Sequence, residues 1–119
     1  MSKKILFIED DPDIYEILNI IFEEEGYETV GFRTAISPAE IALIHPDLVL
    51  LDVRILGSEK SGAEICSALK TKEEWKRIPV ILLSAERNLE TIGKLSLADG
   101  IIQKPFGLSE LLKGIKEFL

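Results

Sequence analysis

Short apolar runs alternate with stretches of helical spacing from one end of the chain to the other. Ile5-Leu6-Phe7-Ile8 shows no polar alternation and reads as a strand buried on both faces. Asp11 follows as an N-cap, with Pro12 at the first helical position, where a missing N–H costs nothing. Ile14, Ile17, Leu18, Ile21 and Phe22 recur at helical spacing, and Gly26 supplies a stop. Residues 28–32 predict a short second strand. Ser37, Pro38 and Glu40 form a capping-box signature for a helix ending near His45-Pro46. Leu48-Val49-Leu50-Leu51 is a third buried strand, followed by a loop and a helix from about Ser61 to Lys70. Pro79 leads into a fourth strand, Val80-Ile81-Leu82-Leu83, and a weaker helix spans roughly Asn88 to Leu95. Ile101-Ile102 lies in a fifth strand, and Leu108, Leu111, Leu112, Ile115 and Leu119 stripe a last helix.

Five strands alternating with five helices predict an α/β domain: a doubly wound parallel sheet covered on both faces, with right-handed crossovers. The 119 residues suit one domain, long enough to bury roughly two-thirds of the unfolded chain's surface. A composition 46% hydrophobic and 29% charged agrees with a folded protein. The formal net charge of −7 argues against a nucleic-acid surface and agrees with binding cations. Cys66 is the single cysteine, so no intrachain disulfide forms, and its place in a helical pattern predicts a small core residue. Met1-Ser2-Lys3-Lys4 before a short apolar run is no signal peptide, and no segment reaches membrane-spanning length, so the cytoplasm is the expected compartment.

In an open parallel sheet, ligands bind outside the carboxyl ends of the strands. Those ends carry Glu9, Asp10 and Asp11 after the first strand, Asp52 after the third, Ser84 after the fourth and Lys104-Pro105 after the fifth. Neighbouring strands lie about 4.8 Å apart, so residues at the ends of central strands can meet. Two carboxylates 4 Å apart repel by about 4 kcal/mol at an effective dielectric of 20. A hard divalent cation offsets that, and Mg²⁺ is typically held by one or two carboxylates with waters and phosphate oxygens. Each residue has a plainer explanation when taken alone. Asp11 reads better as a helix cap than as a ligand, Asp13 as a water-facing first-turn charge, Ser84 as a cap and Lys104-Pro105 as a turn. Their succession at strand ends is what favours a site.

Other chemistry is missing from the pattern. No glycine-rich phosphate loop and no Cys/His set of zinc spacing occurs. The single histidine, His45, reads as a helix-end residue, so no Ser-His-Asp triad is built from the strand ends. Trp75 falls in a connection and is expected to cover an edge of the core.

The stretches Ile5-Leu6-Phe7-Ile8-Glu9-Asp10-Asp11-Pro12, Asp47-Leu48-Val49-Leu50-Leu51-Asp52, Ile78-Pro79-Val80-Ile81-Leu82-Leu83-Ser84-Ala85 and Lys104-Pro105-Phe106 resemble the receiver domains of two-component response regulators. The resemblance covers essentially the whole chain, and four motifs in this order are highly specific. It implies a flavodoxin-like sheet of order 2-1-3-4-5 and a cis Lys104-Pro105 bond. It also implies that Asp52 is the phosphoacceptor, attacking a phosphohistidine on a sensor histidine kinase or histidine phosphotransfer protein. Glu9 and Asp10 would then organise Mg²⁺ (or Mn²⁺), with Asp52 and the backbone carbonyl of Arg54 completing the protein ligands. Ser84 would bond a phosphoryl oxygen, and Lys104 would pair first with the acceptor and then with the phosphoryl group. Such a domain catalyses only its own phosphorylation and dephosphorylation, engages no nucleic acid or membrane, and is a monomer or weak homodimer. The expectation is a single receiver over residues 1–119, without an output domain.

Beside the expected lack of an output domain, two departures from the family pattern stand out. The aromatic residue common on the fifth strand, three before the lysine, is replaced by Ile101, so the ring that moves with the hydroxyl is missing. Leu56 stands where proline is frequent, and Ser61-Gly62 comes two residues later than usual. Arg54 and Glu86 flank the mouth of such a site and are expected to pair across it, hindering the water that hydrolyses an acyl phosphate. Two other function classes stay open. One is a receiver-like scaffold not controlled by phosphorylation. The other is a small metal-dependent phosphohydrolase, which would carry an acid where Arg54 stands.

Overall fold

The computed structural model describes residues 2–119, so Met1 of the N-terminal segment considered above lies outside the described residues. The strands are β1 (Lys4–Ile8), β2 (Glu28–Phe32), β3 (Leu48–Asp52), β4 (Val80–Ser84) and β5 (Gly100–Gln103). They alternate with helices α1 (Pro12–Glu24), α2 (Pro38–Ile44), α3 (Gly62–Thr71), α4 (Leu89–Ser96) and α5 (Leu108–Lys116). The sheet is parallel throughout, in the order β2-β1-β3-β4-β5 expected from the family resemblance. Among the described residues no helix is long and apolar enough to cross a membrane.

The unbroken apolar runs have the predicted cause. Successive strand side chains point to opposite faces, and here both faces are covered. Leu6, Ile8, Val49, Leu51, Val80 and Leu82 pack with Ile41 of α2, Ile65, Cys66 and Leu69 of α3 and Leu89 of α4. Ile5, Phe7, Leu48, Leu50, Ile81, Leu83 and Ile102 pack with Leu18 and Phe22 of α1 and Leu111 and Ile115 of α5. Each fully buried Leu, Ile or Phe contributes about 1.5–3 kcal/mol relative to exposure, so the three central strands dominate stability.

Local signals act as the sequence predicts. Asp11 Oδ1 accepts from the backbone N–H of Asp13 and Ile14, capping α1. Ser37 and Glu40 form a capping box on α2, and Ser61 with Glu64 forms a second on α3. Gly26, at φ 84°, closes α1 in a left-handed conformation that costs glycine nothing. His45 ends α2 in the same region at φ 55°. Cys66 is buried, and desolvation raises its thiol to about 11, as for an inert core residue. Trp75 lies against the α2/α3 core under the ammonium of Lys72, 4.3 Å above the ring.

Ile17 and Leu108 of the predicted stripes lie outside the core. Ile17 is 48% exposed on α1 and Leu108 is 56% exposed at the start of α5. The buried arc of each helix is narrower than its apolar arc: α1 buries Leu18 and Phe22, and α5 buries Leu111 and Ile115.

At the end of the sheet where the strands begin, Lys70 Nζ donates to Lys76 O, Ile78 O and Asp99 Oδ2. Asp99 Oδ2 also accepts from Val80 N at 2.8 Å. This lock ties α3 to the starts of β4 and β5 and lies far from the carboxyl ends of the strands.

Candidate functional site

β3 and β4 each run one residue beyond their apolar stretch, so Asp52 and Ser84 are strand residues with fixed direction. Asp52 pairs in register with Leu83, and Ser84 with Gln103. β1 ends one residue before Glu9, whose N–H donates to Phe32 O and so continues the ladder. Glu9, Asp52 and Ser84 are 1%, 7% and 3% exposed. They lie at the base of an open cleft of about 740 Å³ that Asp10, Arg54, Leu56, Glu86 and Lys104 also line. Glu9, Asp10 and Asp52 each present a carboxylate oxygen within 4.8 Å of the others.

Their hydrogen bonds differ. Glu9 Oε1 accepts from Lys104 Nζ at 2.7 Å, and Oε2 accepts from Asp11 N at 3.1 Å. Asp52 Oδ2 accepts from Lys104 Nζ at 3.2 Å, and Oδ1 accepts from Arg54 N at 3.3 Å. Asp10 Oδ2 accepts from Leu56 N at 3.0 Å, which ties the β3–α3 loop to the acidic cluster. The Arg33 guanidinium reaches Asp10 O. Ser84 Oγ accepts from Glu86 N at 3.1 Å, leaving its own O–H free to donate elsewhere. The Lys104–Pro105 peptide is cis, as the resemblance implied.

Burial, together with the adjacent Asp52 carboxylate, pushes Glu9 up to about 7, against the opposing pull of Lys104 and the Asp11 N–H. Burial also disfavours the Asp10 carboxylate, but the Leu56 N–H and hydrogen bonds within the cluster outweigh it and hold Asp10 below the usual range. For Lys104, burial is overcome by the Glu9 hydrogen bond and the Asp52 charge, so the ammonium is held above its ordinary value. Three acidic groups around one lysine leave excess negative charge in a partly dry site. A set of hard oxygen donors at this spacing fits a divalent cation.

Arg54 and Glu86 form the expected ion pair, Nε to Oε1, across the mouth of the cleft. Ile101 lies elsewhere: it pairs with Leu82 in mid-β5, is 41% exposed, and sits beneath α4 where Gly93 leaves room for it. Three contributors escaped sequence reasoning. Gln103 Nε2 donates to Ser84 O and Glu86 O. Leu56 acts through its backbone, which no side-chain pattern reveals. Gly62 is pressed so close to β3 that a Cβ there would stand 1.9 Å from Asp52 O. The last had a sequence signal, a glycine directly after the N-cap serine of α3.

Known proteins share this fold. The DivK polar-differentiation response regulator of Brucella ovis is 30% identical over 126 residues, covering all of this chain and 98% of its own length. The nitrogen assimilation regulatory protein NtrX of Azorhizobium caulinodans is 35% identical over 94% of this chain, which spans only 25% of that protein. Among solved structures, the response regulator TrrA of Thermotoga maritima, in complex with Mg²⁺ and BeF, superposes with a TM-score of 0.80 at 30% identity. That match covers 99% of this chain and 100% of TrrA. The sequence profile of the response regulator receiver domain matches residues 5–116, nearly the whole chain and every strand end described above. With fold, order of motifs and relatives in agreement, the chain belongs to the receiver domain family of two-component response regulators.

Proposed function

We propose that Asp52 accepts a phosphoryl group from a phosphohistidine of a sensor histidine kinase or histidine phosphotransfer protein. One observation carries this: a nearly buried carboxylate at the end of a central strand, at the base of the cleft, shares a lysine with Glu9 and a cation-sized space with Asp10. The TrrA relative, solved in complex with Mg²⁺ and BeF, supports a site for Mg²⁺ in this chain.

A carboxylate oxygen of Asp52 attacks phosphorus, the phosphorus–nitrogen bond breaks, and the imidazole leaves with the electron pair. Asp10, Asp52 and the Arg54 carbonyl would hold Mg²⁺ or Mn²⁺ directly. Glu9, whose carboxylate lies within 4.8 Å of theirs, would help organise the cation and hold Lys104. When bound, the metal neutralises charge on the transferring phosphoryl oxygens. Lys104 follows the charge from Asp52 to the phosphoryl group, and Ser84 donates its O–H to a phosphoryl oxygen. The acyl phosphate places nearly two negative charges at one strand end, enough to reposition the β4–α4 turn and alter partner binding. The domain acts as a single unit in the cytoplasm, and its only chemistry is gain and loss of its own phosphoryl group.

The test is intact mass after incubation with Mg²⁺ and acetyl phosphate. A transient gain of one phosphoryl group, lost in Asp52→Asn and in the presence of a chelator, is expected. No adduct would indicate a scaffold, and continuous turnover without an adduct a hydrolase.

A further inference from the structure

β5 carries a contact that neither the acidic cluster nor the lysine explains. Gln103 pairs in register with Ser84, and its Nε2 donates to Ser84 O at 3.1 Å and to Glu86 O at 3.1 Å. Lys104 N donates to the same Ser84 O at 2.9 Å. Between those carbonyls, Glu86 N donates to Ser84 Oγ. One amide therefore straddles the turn on which the site hydroxyl is held. The polar contacts continue to the acceptor: Glu86 pairs with Arg54, and Arg54 N donates to Asp52 Oδ1. The rest of β5 is Gly100, Ile101 and Ile102, which have no polar side chain to offer.

We propose that Gln103 is a positioning residue of the phosphoryl switch. Its amide latches the Ser84–Glu86 turn in the phosphate-free protein and releases Glu86 when Ser84 Oγ leaves Glu86 N for a phosphoryl oxygen. This rests on the phosphoacceptor function proposed for Asp52. The bond to Glu86 O is exposed and the bond to Ser84 O half-buried, so the former is the one water can replace when the turn moves. The latch gives β5 a polar grip on the turn in a chain whose fifth strand has no ring to follow it.

Gln103→Ala and Gln103→Glu both lack the N–H donors at neutral pH, and the exposed position makes neither a threat to folding. Two readouts apply: hydrogen exchange at the Glu86 amide, and binding of beryllofluoride with Mg²⁺. In the free protein both variants should exchange Glu86 about fivefold faster, as expected for loss of one modest hydrogen bond. The difference should vanish once beryllofluoride is bound. Binding should be tighter in the variants by a similar factor, about fivefold, because only the free state has lost stabilisation. Unchanged exchange in the free protein would overturn the latch, as would acceleration that persists with beryllofluoride or binding that fails to tighten. Wild-type protein that takes no beryllofluoride would instead remove the function proposed for Asp52 and the release step with it, while exchange in the free protein still decides whether the turn is latched.

Discussion

Lys104 Nζ donates to Glu9 Oε1 at 2.7 Å, joining groups 95 positions apart in the chain. Glu9 is 1% exposed and the Lys104 side chain 15% exposed, so the contact is largely shielded from water. Removing the ammonium leaves Glu9 and Asp52 facing each other without compensation.

Lys104→Met keeps most of the apolar stem and deletes the charge. It should cost about 1–3 kcal/mol at pH 8, where Glu9 is ionised, and less at pH 6, where Glu9 carries a proton. Urea unfolding at the two pH values measures the difference. Equal costs would mean that the lysine stabilises the fold by packing and not by charge.

Glu9 sets a pH dependence of its own. Its unfolded-state value is 4.5 and its folded value about 7, so between these the folded protein holds a proton that the unfolded chain has released. The stability this provides is full below about pH 4.5 and is lost as pH rises through about 7. Asp10, held below 3.8, acts oppositely, and only at more acidic pH. Without divalent cations the thermal midpoint should fall by roughly 5 °C from pH 5.5 to 8. Glu9→Gln should flatten that slope, and millimolar Mg²⁺ should restore the midpoint at pH 8. Parallel slopes for wild type and Glu9→Gln would assign the dependence to another group.

Gly62→Ala should be among the most damaging small substitutions. Its Cβ would meet the backbone of Asp52 at 1.9 Å, and the Gly62 N–H is already committed to Val53 O at 2.8 Å. Backbone on both sides cannot yield as a side chain can, so a loss of about 3 kcal/mol or more in urea unfolding is expected. Gly31→Ala meets mainly the rings of Tyr15 and Phe7 and should cost less. The reverse order would mean that the β3–α3 connection is looser than its contacts indicate.

The Arg54–Glu86 pair should matter to kinetics more than to stability. Arg54 is 82% exposed, and such pairs contribute at most about 1 kcal/mol. Arg54→Ala and Glu86→Ala should each shorten the phosphoryl lifetime by up to about fivefold, the rate equivalent of that energy. Intact mass followed over time after removal of acetyl phosphate reads this directly. Unchanged lifetimes in both variants would remove the pair from the hydrolysis step.

Much of the fold is legible in the sequence alone. The caps at Asp11, Ser37 and Ser61 depend on neighbours within three residues, and the buried strands on unbroken apolar runs, so both are visible in one dimension. That Glu9, Asp10, Asp52, Ser84 and Lys104 line one cleft is legible because a parallel sheet gathers strand ends on one side. Ile17 and Leu108 fall on apolar stripes but lie outside the core, because spacing gives a helix's apolar arc and not how much of it a neighbour covers. The reach of Gln103 to Ser84 O and Glu86 O, and the Leu56 N–H on Asp10, depend on how separate backbones approach each other. Such contacts leave no periodicity in the sequence.

The lysine that completes the acidic cleft follows β5, an edge strand of the sheet. A ribosome-bound nascent chain that has exposed β1 through β4 already holds every acidic group and the hydroxyl, yet lacks the cation that joins Glu9 to Asp52. Charge balance in the cleft is therefore assembled across the whole sheet, and a chain in which β5 has not docked carries three carboxylates with no ammonium among them.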